Sequence, residues 1–276
     1  MIEPLVFGQA LVEQVQTTTL GDGRLAVWWL GHCGPLLKHG SVVAVVDPYL
    51  SDRLTDRGLG PRRSTAPLAA NELTGVSLVL ITGGSADLFD PATVPALLEA
   101  SPDALLVLPA GLADVAADEM GVPDERMVPI RAGQLFEIED LTIHAVGLTE
   151  EDEPLRLEYV LASDLGSVYV AGNSLPRRGQ AEDVRPFHPE IAFLPIGGRG
   201  ARLQQRGLPG ALTNIEAARL ASEIGAQFVV PLSFQMFEYQ TADPNVFADH
   251  VAATYPELRC RLLELAGRWI YPPEGN

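Results

Sequence analysis

The chain has 276 residues, of which 47% are hydrophobic and 20% are charged, and it carries a formal net charge of −17 at pH 7. This composition predicts a folded protein with a substantial core and excludes an intrinsically disordered chain. The acidic balance, which no cluster of Lys and Arg interrupts, argues against a nucleic-acid partner because it would repel the phosphate backbone.

Short apolar runs rich in β-branched residues recur along the chain and predict strands. In order they are RLAVWWL, SVVAVVDPYL, VSLVLIT, ALLVLPA, LFEIEDLTIHAV, LEYVLAS, SVYVAG, EIAFLPIG and AQFVVPLSF. The runs within 24–50 and 135–174 suit antiparallel pairs, whereas the other strands alternate with helices. We therefore expect an α/β protein of stacked sheets with helices on the outside.

Helical patterns lie between and after these strands. PATVPALLEASP has apolar residues at helical spacing, and GLADVAADEMGVP ends on a glycine and a proline. LTNIEAARLASEIGA opens with Thr213 and Glu216 at capping-box spacing. PNVFADHVAATYP and ELRCRLLELAG predict two further helices near the C-terminus. No linker or tandem repeat divides the sequence, so we expect residues 1–276 to form one domain.

Several of these stretches, taken together, resemble the metallo-β-lactamase superfamily, and in particular its branch of L-ascorbate-6-phosphate lactonases and related sugar-lactone hydrolases. VWWLGHCGPLLKHGSVVAVVDPYLSD is similar to the family's opening hairpin, SVYVAGNS to its strand ending in Gly-Asp-Ser/Thr, and RGLPGALTNIEAARLASEIGAQFVVPLSF to its second half. The resemblance implies a four-layer αββα sandwich. It also implies an active site at one edge, where loops from both halves meet.

The resemblance further implies where metal ligands would stand. The family holds two divalent metals with a Thr-His-x-His-x-Asp-His turn, the Asp of the strand end and a later His. The matching positions here are Thr82, Gly83, Ser85, Asp87, Leu88, Asn173 and Ser233. Only Asp87 keeps a donor of the family's kind, and Glu150 falls near another acidic position of the branch. Because neutral Ser and Asn oxygens are poor ligands for Zn²⁺ or Mn²⁺, we expect no metal and no other cofactor.

Three residues are candidates for catalysis without a metal. Asp87 could act as a lone base, and His32 lies on a turn that borders the family's pocket. Cys33 adjoins this imidazole and could be an activated thiol. Each has a structural alternative: Asp87 could cap the helix beginning near Asp90, His32 could serve local packing, and Cys33 could be a small buried side chain that points away from His32.

The predicted ligand-binding pocket surrounds the same turn. It consists of Gly83, Gly84, Ser85, Asp87, Glu150, Asn173, Ser174, Ser233 and Gln235. Asp47 is expected, from the resemblance, to hold the neighbouring loop by hydrogen bonds. The remaining histidines, His39, His144, His188 and His250, fall outside the ligand positions. Five arginines on predicted loops near the mouth either are solvated or meet an anionic substrate; they are Arg177, Arg178, Arg199, Arg202 and Arg206.

Two functions remain open at this point. The first is a metal-free, non-hydrolytic pseudoenzyme that binds a small polar or anionic molecule, or a partner, in the former active-site cleft. The second is a metal-independent hydrolase or lactonase that reuses the pocket, although no nucleophile elbow is present. An ordinary metallohydrolase contradicts the residues. Nothing in the sequence decides between a monomer and a homo-oligomer.

Cysteine usage and the chain ends bear on location. Cys33 and Cys260 lie far apart in unlike contexts and predict no disulfide framework, which fits a reducing cytoplasm. The N-terminal residues lack the basic and apolar regions of a signal peptide, and no apolar run reaches the roughly 18 residues of a membrane span. We expect a cytoplasmic protein with no membrane association.

Overall fold

The computed structural model describes residues 1–21, 23–56, 58–147, 155–164 and 166–273, and it describes only the backbone of Arg202. In chain order the strands are β1 (Leu25–Trp29), β2 (Pro35–His39), β3 (Val42–Val46), β4 (Leu78–Leu80), β5 (Leu105–Pro109), β6 (Met127–Ile130), β7 (Leu135–Ile138), β8 (Leu141–Val146), β9 (Glu158–Ser163), β10 (Gly166–Val170), β11 (Ile191–Pro195), β12 (Phe228–Leu232), β13 (Arg259–Cys260) and β14 (Arg268–Tyr271).

The helices occupy the connections. They are α1 (Gln9–Thr17), α2 (Arg53–Asp56), α3 (Thr93–Ala100), α4 (Ala113–Met120), α5 (Gln180–Val184), α6 (Ala201–Gln204), α7 (Asn214–Glu223) and α8 (Pro244–Thr254). Short 3-10 turns lie at Ala70–Glu72, Ala110–Leu112, Asp124–Arg126 and Arg185–Phe187. None of the helices in the described part of the chain has the length and hydropathy of a membrane span.

The strands form two seven-stranded sheets within the described residues, in the orders β14-β1-β2-β3-β4-β5-β6 and β13-β12-β11-β10-β9-β8-β7. Strand β3 shows how the layers arise. Val42, Ala44 and Val46 belong to the core between the sheets, whereas Val43 and Val45 belong to the core under the helices. Because successive side chains of a strand point to opposite faces, a continuous apolar run suits a sheet covered on both faces.

The helices cover the outer faces. α1, α3 and α4 pack on the first sheet through side chains such as Leu11, Leu97 and Ala116. α7 and α8 lie over the second sheet, where Ala217 and Phe247 are buried. The predicted four-layer αββα sandwich is therefore confirmed, and so is the capping box: the Thr213 backbone N–H donates to Glu216 Oε2 at 2.9 Å and the Glu216 backbone N–H to Thr213 Oγ1 at 3.4 Å. The expectation of one domain stays a prediction.

The sequence expectations fail at the two ends of the chain. The predicted helix ELRCRLLELAG is wrong, because Arg259–Cys260 forms β13 and pairs in parallel with β12. The Arg259 backbone N–H donates to the Gln227 carbonyl at 3.0 Å and that of Arg261 to the Val229 carbonyl at 2.9 Å. Pairing with an open sheet edge overrides the weak helical propensity of this segment. Helix α1 and strand β14 were not expected at all.

The strand directions decide where a site can form. β3, β4 and β5 run parallel in the first sheet, and β10, β11 and β12 run parallel in the second. The carboxyl ends of these strands therefore meet at one edge of the sandwich, where turns from both sheets approach each other. The turn after β4 and the residue before β9 are linked there across the sheets: the Leu157 backbone N–H donates to the Thr82 carbonyl at 2.7 Å.

Candidate functional site

Asp47 and Thr82 lock the carboxyl ends of β3 and β4 together. The Thr82 backbone N–H donates to Asp47 Oδ1 at 2.7 Å, and the Thr82 hydroxyl donates to Asp47 Oδ2 at 2.5 Å. Asp47 adopts a left-handed conformation with φ 40°, which directs its carboxyl back to the neighbouring strand. Burial raises the pKa of Asp47 to about 7 against the effect of the Thr82 hydrogen bonds, with a further contribution from the charge of Asp87. Asp47 thus holds the turn, as expected.

Asp87 lies at the centre of the edge and is 2% exposed. The Ser85 hydroxyl donates to its Oδ1 at 2.7 Å, and the Asn173 amide nitrogen donates to its Oδ2 at 2.9 Å. The Tyr239 hydroxyl lies 3.4 Å and His32 Nε2 lies 3.6 Å from the same Oδ2. Burial alone would raise the pKa of Asp87, but the hydrogen bonds of His32 and Ser85 outweigh it and the pKa is lowered.

His32 is wholly buried and its tautomer is determined by Gln240. The Gln240 side-chain oxygen accepts the backbone N–H groups of Met236 at 2.9 Å and Phe237 at 3.0 Å. Its amide nitrogen must therefore be the atom that donates to His32 Nδ1, at 2.5 Å. Because Nδ1 accepts, the ring proton is on Nε2, the nitrogen that faces Asp87. The imidazole is a neutral link between an amide and a carboxylate.

The backbone of His32 is equally constrained. Its φ of 47° lies in the left-handed region, and its carbonyl accepts the Ser233 backbone N–H at 3.0 Å and Trp29 Nε1 at 3.1 Å. The residue therefore joins the turn after β1 to the turn after β12. The sequence indicated that this turn borders the pocket, and the structure adds that its side chain contacts the carboxylate itself.

Cys33 reaches the same cluster from the other side. Its thiol lies 3.6 Å from the Asn173 amide oxygen, the atom left over when the amide nitrogen binds Asp87. Burial, followed by the charges of Asp47 and Asp87, raises the pKa of Cys33 well above its ordinary value. A thiol of this kind stays protonated at neutral pH and is a poor nucleophile. His32 and Cys33 lie in a turn and not on an extended strand.

Asp90, and not Asp87, forms the side-chain hydrogen bonds in the turn before α3, whose N-cap residue Ala92 has no side-chain cap. Asp90 Oδ1 accepts the Ala92 backbone N–H at 3.1 Å, and Asp90 Oδ2 accepts the Thr93 hydroxyl at 2.5 Å. The capping role considered for Asp87 is therefore wrong. Asp87 lies one turn earlier and directs its carboxyl toward Asn173.

Gly83 and Gly84 contribute backbone and no side chain. Gly83 forms an antiparallel bridge with Arg156, and the Gly84 N–H donates to the Leu155 carbonyl at 3.1 Å. A Cβ on Gly83 would lie 3.3 Å from Leu88 Cδ1, so the buried leucine occupies the space beside it. Two positions at which the family carries histidines are thus a glycine and an apolar side chain packed against each other. Glu150 lies outside the described residues.

These residues do not fit a metal ion. No group of three or more His, Cys, Asp or Glu in the described ranges is arranged to hold one. Zn²⁺ or a similar ion needs several imidazole or carboxylate donors with free lone pairs. Here the oxygens of Asp87 already accept hydrogen bonds from Ser85 and Asn173. The Nδ1 lone pair of the neighbouring His32 imidazole accepts the amide nitrogen of Gln240.

A small cleft with a volume of about 10 Å³ opens beside this cluster. Its lining combines five polar side chains with a glycine-rich loop; the residues are Asp87, Asn173, Ser233, Tyr239, Gln240, Gly197, Gly198, Gly210, Ala211, Leu203 and Leu208. The Gly198 N–H donates to the Leu212 carbonyl and the Ala211 N–H to the Gly198 carbonyl, which folds the loop over the opening. Of the expected pocket residues, Asp87, Asn173 and Ser233 line the cleft, and Ser85 binds Asp87 from behind.

Ser174 belongs to a separate buried network that sequence reasoning missed. Its hydroxyl donates to Glu158 at 2.5 Å, and Tyr169 OH and Gln180 Nε2 donate to the same carboxylate at 2.8 and 2.7 Å. Arg177 Nη2 lies 3.2 Å from it. A glutamate inside the apolar run LEYVLAS was the available signal, since a buried carboxylate needs partners. Gln235 adopts φ 56° in the turn after β12 and does not line the cleft.

Two of the five arginines expected near the mouth pair with carboxylates. Arg177 pairs with Glu158 and Asp183. Arg199 donates two hydrogen bonds to the Glu216 carboxylate, from Nη1 at 2.6 Å and from Nη2 at 2.7 Å. Arg178 and Arg206 are exposed, and the side chain of Arg202 lies outside the described residues.

Comparison with known proteins places this fold. No family model matches the chain. A UPF0173 metal-dependent hydrolase of Myxococcus xanthus is 25% identical over 237 residues, which cover 81% of this chain and 75% of that protein. The probable L-ascorbate-6-phosphate lactonase UlaG of Salmonella choleraesuis is 21% identical over 280 residues, covering 87% and 77% of the two chains.

A solved structure gives the same answer for the fold. Igni18, described as a novel metallo hydrolase from the hyperthermophilic archaeon Ignicoccus hospitalis, matches with a TM-score of 0.68 and 18% identity, covering 91% of this chain and 100% of that one. The UPF0173 protein and Igni18 are named as metal-dependent or metallo hydrolases, whereas the residues at the corresponding edge of this chain do not fit a metal. The chain therefore has the metallo-β-lactamase fold, and it is similar in sequence to UPF0173 metal-dependent hydrolases and to probable L-ascorbate-6-phosphate lactonases.

Proposed function

We propose that this protein is a metal-independent, non-hydrolytic member of its superfamily that binds a small polar molecule in the cleft beside Asp87. One observation carries the proposal: hydrogen-bond donors of the chain itself surround the surviving carboxylate. An ionised carboxylate offers about four lone-pair sites. Ser85, Asn173 and Tyr239 donate to them, and His32 Nε2 faces the remaining side.

The same geometry argues against the metal-independent enzyme. The thiol of Cys33 has a raised pKa and no base beside it, because His32 uses Nδ1 on Gln240 and turns Nε2 toward Asp87. Asp87 itself has a lowered pKa, which makes it a weak base at neutral pH. The cluster therefore lacks the nucleophile, base and orienting group that such chemistry requires.

The groups that line the cleft suit a small hydroxylated molecule, which would have to widen the cleft as it binds. Ser233 and Tyr239 offer hydroxyl groups, and the glycines of the covering loop let a ligand approach the backbone closely. The negative charge of Asp87 disfavours an anion placed directly against it. A neutral polyol or sugar lactone is the ligand class that these groups suit, which narrows the polar or anionic molecule considered from the sequence.

Metal content is the first test. Protein purified without chelators and dialysed against Zn²⁺ or Mn²⁺ should carry no stoichiometric metal by elemental analysis. The matched control restores the family's ligands at five positions: Gly83→His, Ser85→His, Leu88→His, Asn173→Asp and Ser233→His. This variant should gain metal if the scaffold alone permits binding. One or two metals per chain in the unaltered protein would overturn the proposal.

Ligand binding is the second test. A thermal-shift screen should compare neutral polyols and lactones with sugar phosphates, and hits should be assayed for turnover. A ligand at about one hundred times its dissociation constant adds about 2.7 kcal/mol to the free energy of unfolding, which the screen detects. Ala211→Phe should fill the cleft and abolish the shift, whereas Ala252→Phe on the exposed face of α8 should not. Turnover that survives EDTA would favour the enzyme.

A further inference from the structure

Residues 200–209 form a compact loop over the cleft beside Asp87, and we call this segment the lid. Its side chains Leu203 and Leu208 line the cleft, as does Gly210, which follows the lid. The cleft volume of about 10 Å³ admits about one water molecule, which is far less than a polyol or a sugar lactone needs. Such a ligand can reach Asp87 only if one wall of the cleft moves.

The other walls are held in place by buried contacts. Asn173 donates its side-chain hydrogen bond to Asp87, and two backbone N–H groups hold the amide of Gln240. Gly197 lies against Ser233, where a Cβ would be 2.8 Å from the Ser233 carbonyl oxygen. Movement of any of these walls would break buried hydrogen bonds or separate closely packed backbone segments. The lid is the wall that can move at least cost.

The backbone hydrogen bonds of the lid are internal. In the described part of the chain, the N–H groups of residues 203–208 donate to carbonyl groups of residues 200–204. The Leu208 N–H, for example, donates to the Leu203 carbonyl at 3.0 Å. These hydrogen bonds can move with the lid as a unit. The arrangement is that of an Ω-loop, a compact surface loop whose two ends lie close together.

The two ends of the lid meet at a short neck that is fixed to the rest of the protein. The Gly198 N–H donates to the Leu212 carbonyl at 2.9 Å, and the Ala211 N–H donates to the Gly198 carbonyl at 2.8 Å. Arg199 ties the neck to α7 through its two hydrogen bonds to the Glu216 carboxylate. The neck can therefore keep its place while the lid moves.

A glycine stands at each junction between the neck and the lid. Gly200 is extended, and a Cβ there would meet no atom within 4 Å, so the backbone has space to rotate. Gly210 has φ 81°, in the left-handed region that favours glycine. Hinges are typically a few loop positions that absorb the change in backbone angles, and these two glycines suit that role.

Two leucines hold the lid closed. Leu208 is 2% exposed and Leu203 is half-buried, whereas Gln204, Gln205 and Arg206 between them are exposed. Both leucines pack on one small apolar cluster, whose other buried members are Tyr49, Leu54, Leu59, Met236 and Phe237. A segment with few buried apolar contacts opens at a lower free energy than the whole fold does.

We propose that the lid opens as a unit about Gly200 and Gly210, admits a ligand to Asp87, and closes over it with Leu203 and Leu208. The proposal rests on the function proposed for the Asp87 cleft and adds the route by which a ligand enters. Closure of a loop over a bound molecule excludes water from the site, and such motions occur on the microsecond to millisecond timescale.

The rate of thiol labelling in the full chain without any ligand tests the opening. In a Cys260→Ser background, Leu208→Cys should react with a disulfide reagent roughly a hundredfold or more faster than Leu97→Cys. Leu97 is wholly buried under α3 and is the matched control. Low urea should accelerate labelling at 97 more than at 208, because lid opening exposes little surface. Equal rates with equal urea dependence would overturn the proposal.

Leu208→Cys shortens one of the two anchoring side chains and could loosen the lid by itself. Leu59→Cys therefore places a second thiol on the body side of the same cluster and keeps both leucines of the lid. It should also be labelled much faster than Leu97→Cys. Labelling as slow as that of Leu97→Cys would show that the lid stays closed, and would refute the proposal.

Xylitol, a neutral polyol, separates the lid from the proposed function. If xylitol binds under the lid, a saturating concentration should slow the labelling of Leu59→Cys. Fast labelling that xylitol does not slow would support the lid and count against polyol binding in the cleft. Slow labelling together with a thermal shift in xylitol would overturn the lid and leave polyol binding intact.

Discussion

The substitution Asp87→Ala tests whether the carboxylate of Asp87 has a structural or a functional role. A structural carboxylate should lower the stability when it is removed, whereas a purely functional one should not. The substitution leaves Asn173 Nδ2 buried without its acceptor and removes the carboxylate that His32 Nε2 faces at 3.6 Å. Each buried polar group without a partner costs about 1–3 kcal/mol. Ser85 is half-buried and can turn its hydroxyl to water. We therefore expect the free energy of unfolding to fall by about 3–5 kcal/mol.

Urea denaturation followed by tryptophan fluorescence measures this change. Asp87→Asn keeps the shape but places an amide N–H group against the Asn173 or His32 donor, so it should lose nearly as much stability. The double variant Asp87→Ala with Asn173→Ala should cost less than the sum of the two single changes, by roughly 1–3 kcal/mol, because the second change removes an orphaned donor. Unchanged or increased stability in Asp87→Ala would show that the carboxylate is held for function at the expense of stability, and would refute the reasoning.

Three further predictions concern the residues around this centre. Asp47 has a pKa of about 7 in the folded protein against an ordinary value of 3.8. As the pH rises from about 4 to about 7, the free energy of unfolding should therefore fall by on the order of 4 kcal/mol relative to that of Asp47→Asn. Equal pH profiles by urea denaturation would contradict this. Gly172→Ala, at φ 58° and with a Cβ 2.0 Å from Thr82 Oγ1, should lower stability by roughly 3 kcal/mol or abolish folding; a melting temperature like that of the unaltered protein would be evidence against the packing. Glu216, whose pKa is lowered to about 2 by the Arg199 hydrogen bonds, should contribute about 1 kcal/mol that is present above about pH 4 and lost below it; a Glu216→Gln variant as stable as the parent at neutral pH would exclude the contribution.

Residues of the candidate site could be predicted from the sequence only where a motif placed them. The turn at 82–88 was placed by its strand and by resemblance, and so were Asn173 and Ser233. Gln240 was not predicted as a site residue, although it lies 208 residues from His32 in the sequence and sets the tautomer of that imidazole. A glutamine in a loop carries no pattern of its own, because its role depends on two backbone N–H groups that orient its amide.

The capping role of Asp87 and the C-terminal helix failed for a related reason. Both rested on local spacing, and in both cases a contact distant in sequence was stronger. Asp87 accepts a hydrogen bond from Asn173, 86 residues away, and α3 begins without a side-chain cap. Arg259–Cys260 pairs with the edge of β12. Local propensities amount to fractions of a kcal/mol per residue, which tertiary hydrogen bonds and burial exceed.

The amino-acid sequence by itself determined the layers of this protein and the absence of histidines from the metal-binding turn. Period-two apolar runs and amphipathic helices can bury their faces in few ways, so the sandwich follows from pattern. Only the tertiary structure decided what the surviving polar groups do. The hydrogen bonds of Asp87, His32, Cys33 and Asn173 depend on atoms brought within about 3 Å by the meeting of two sheets. No local pattern encodes such distances, because they are set by how the whole core packs.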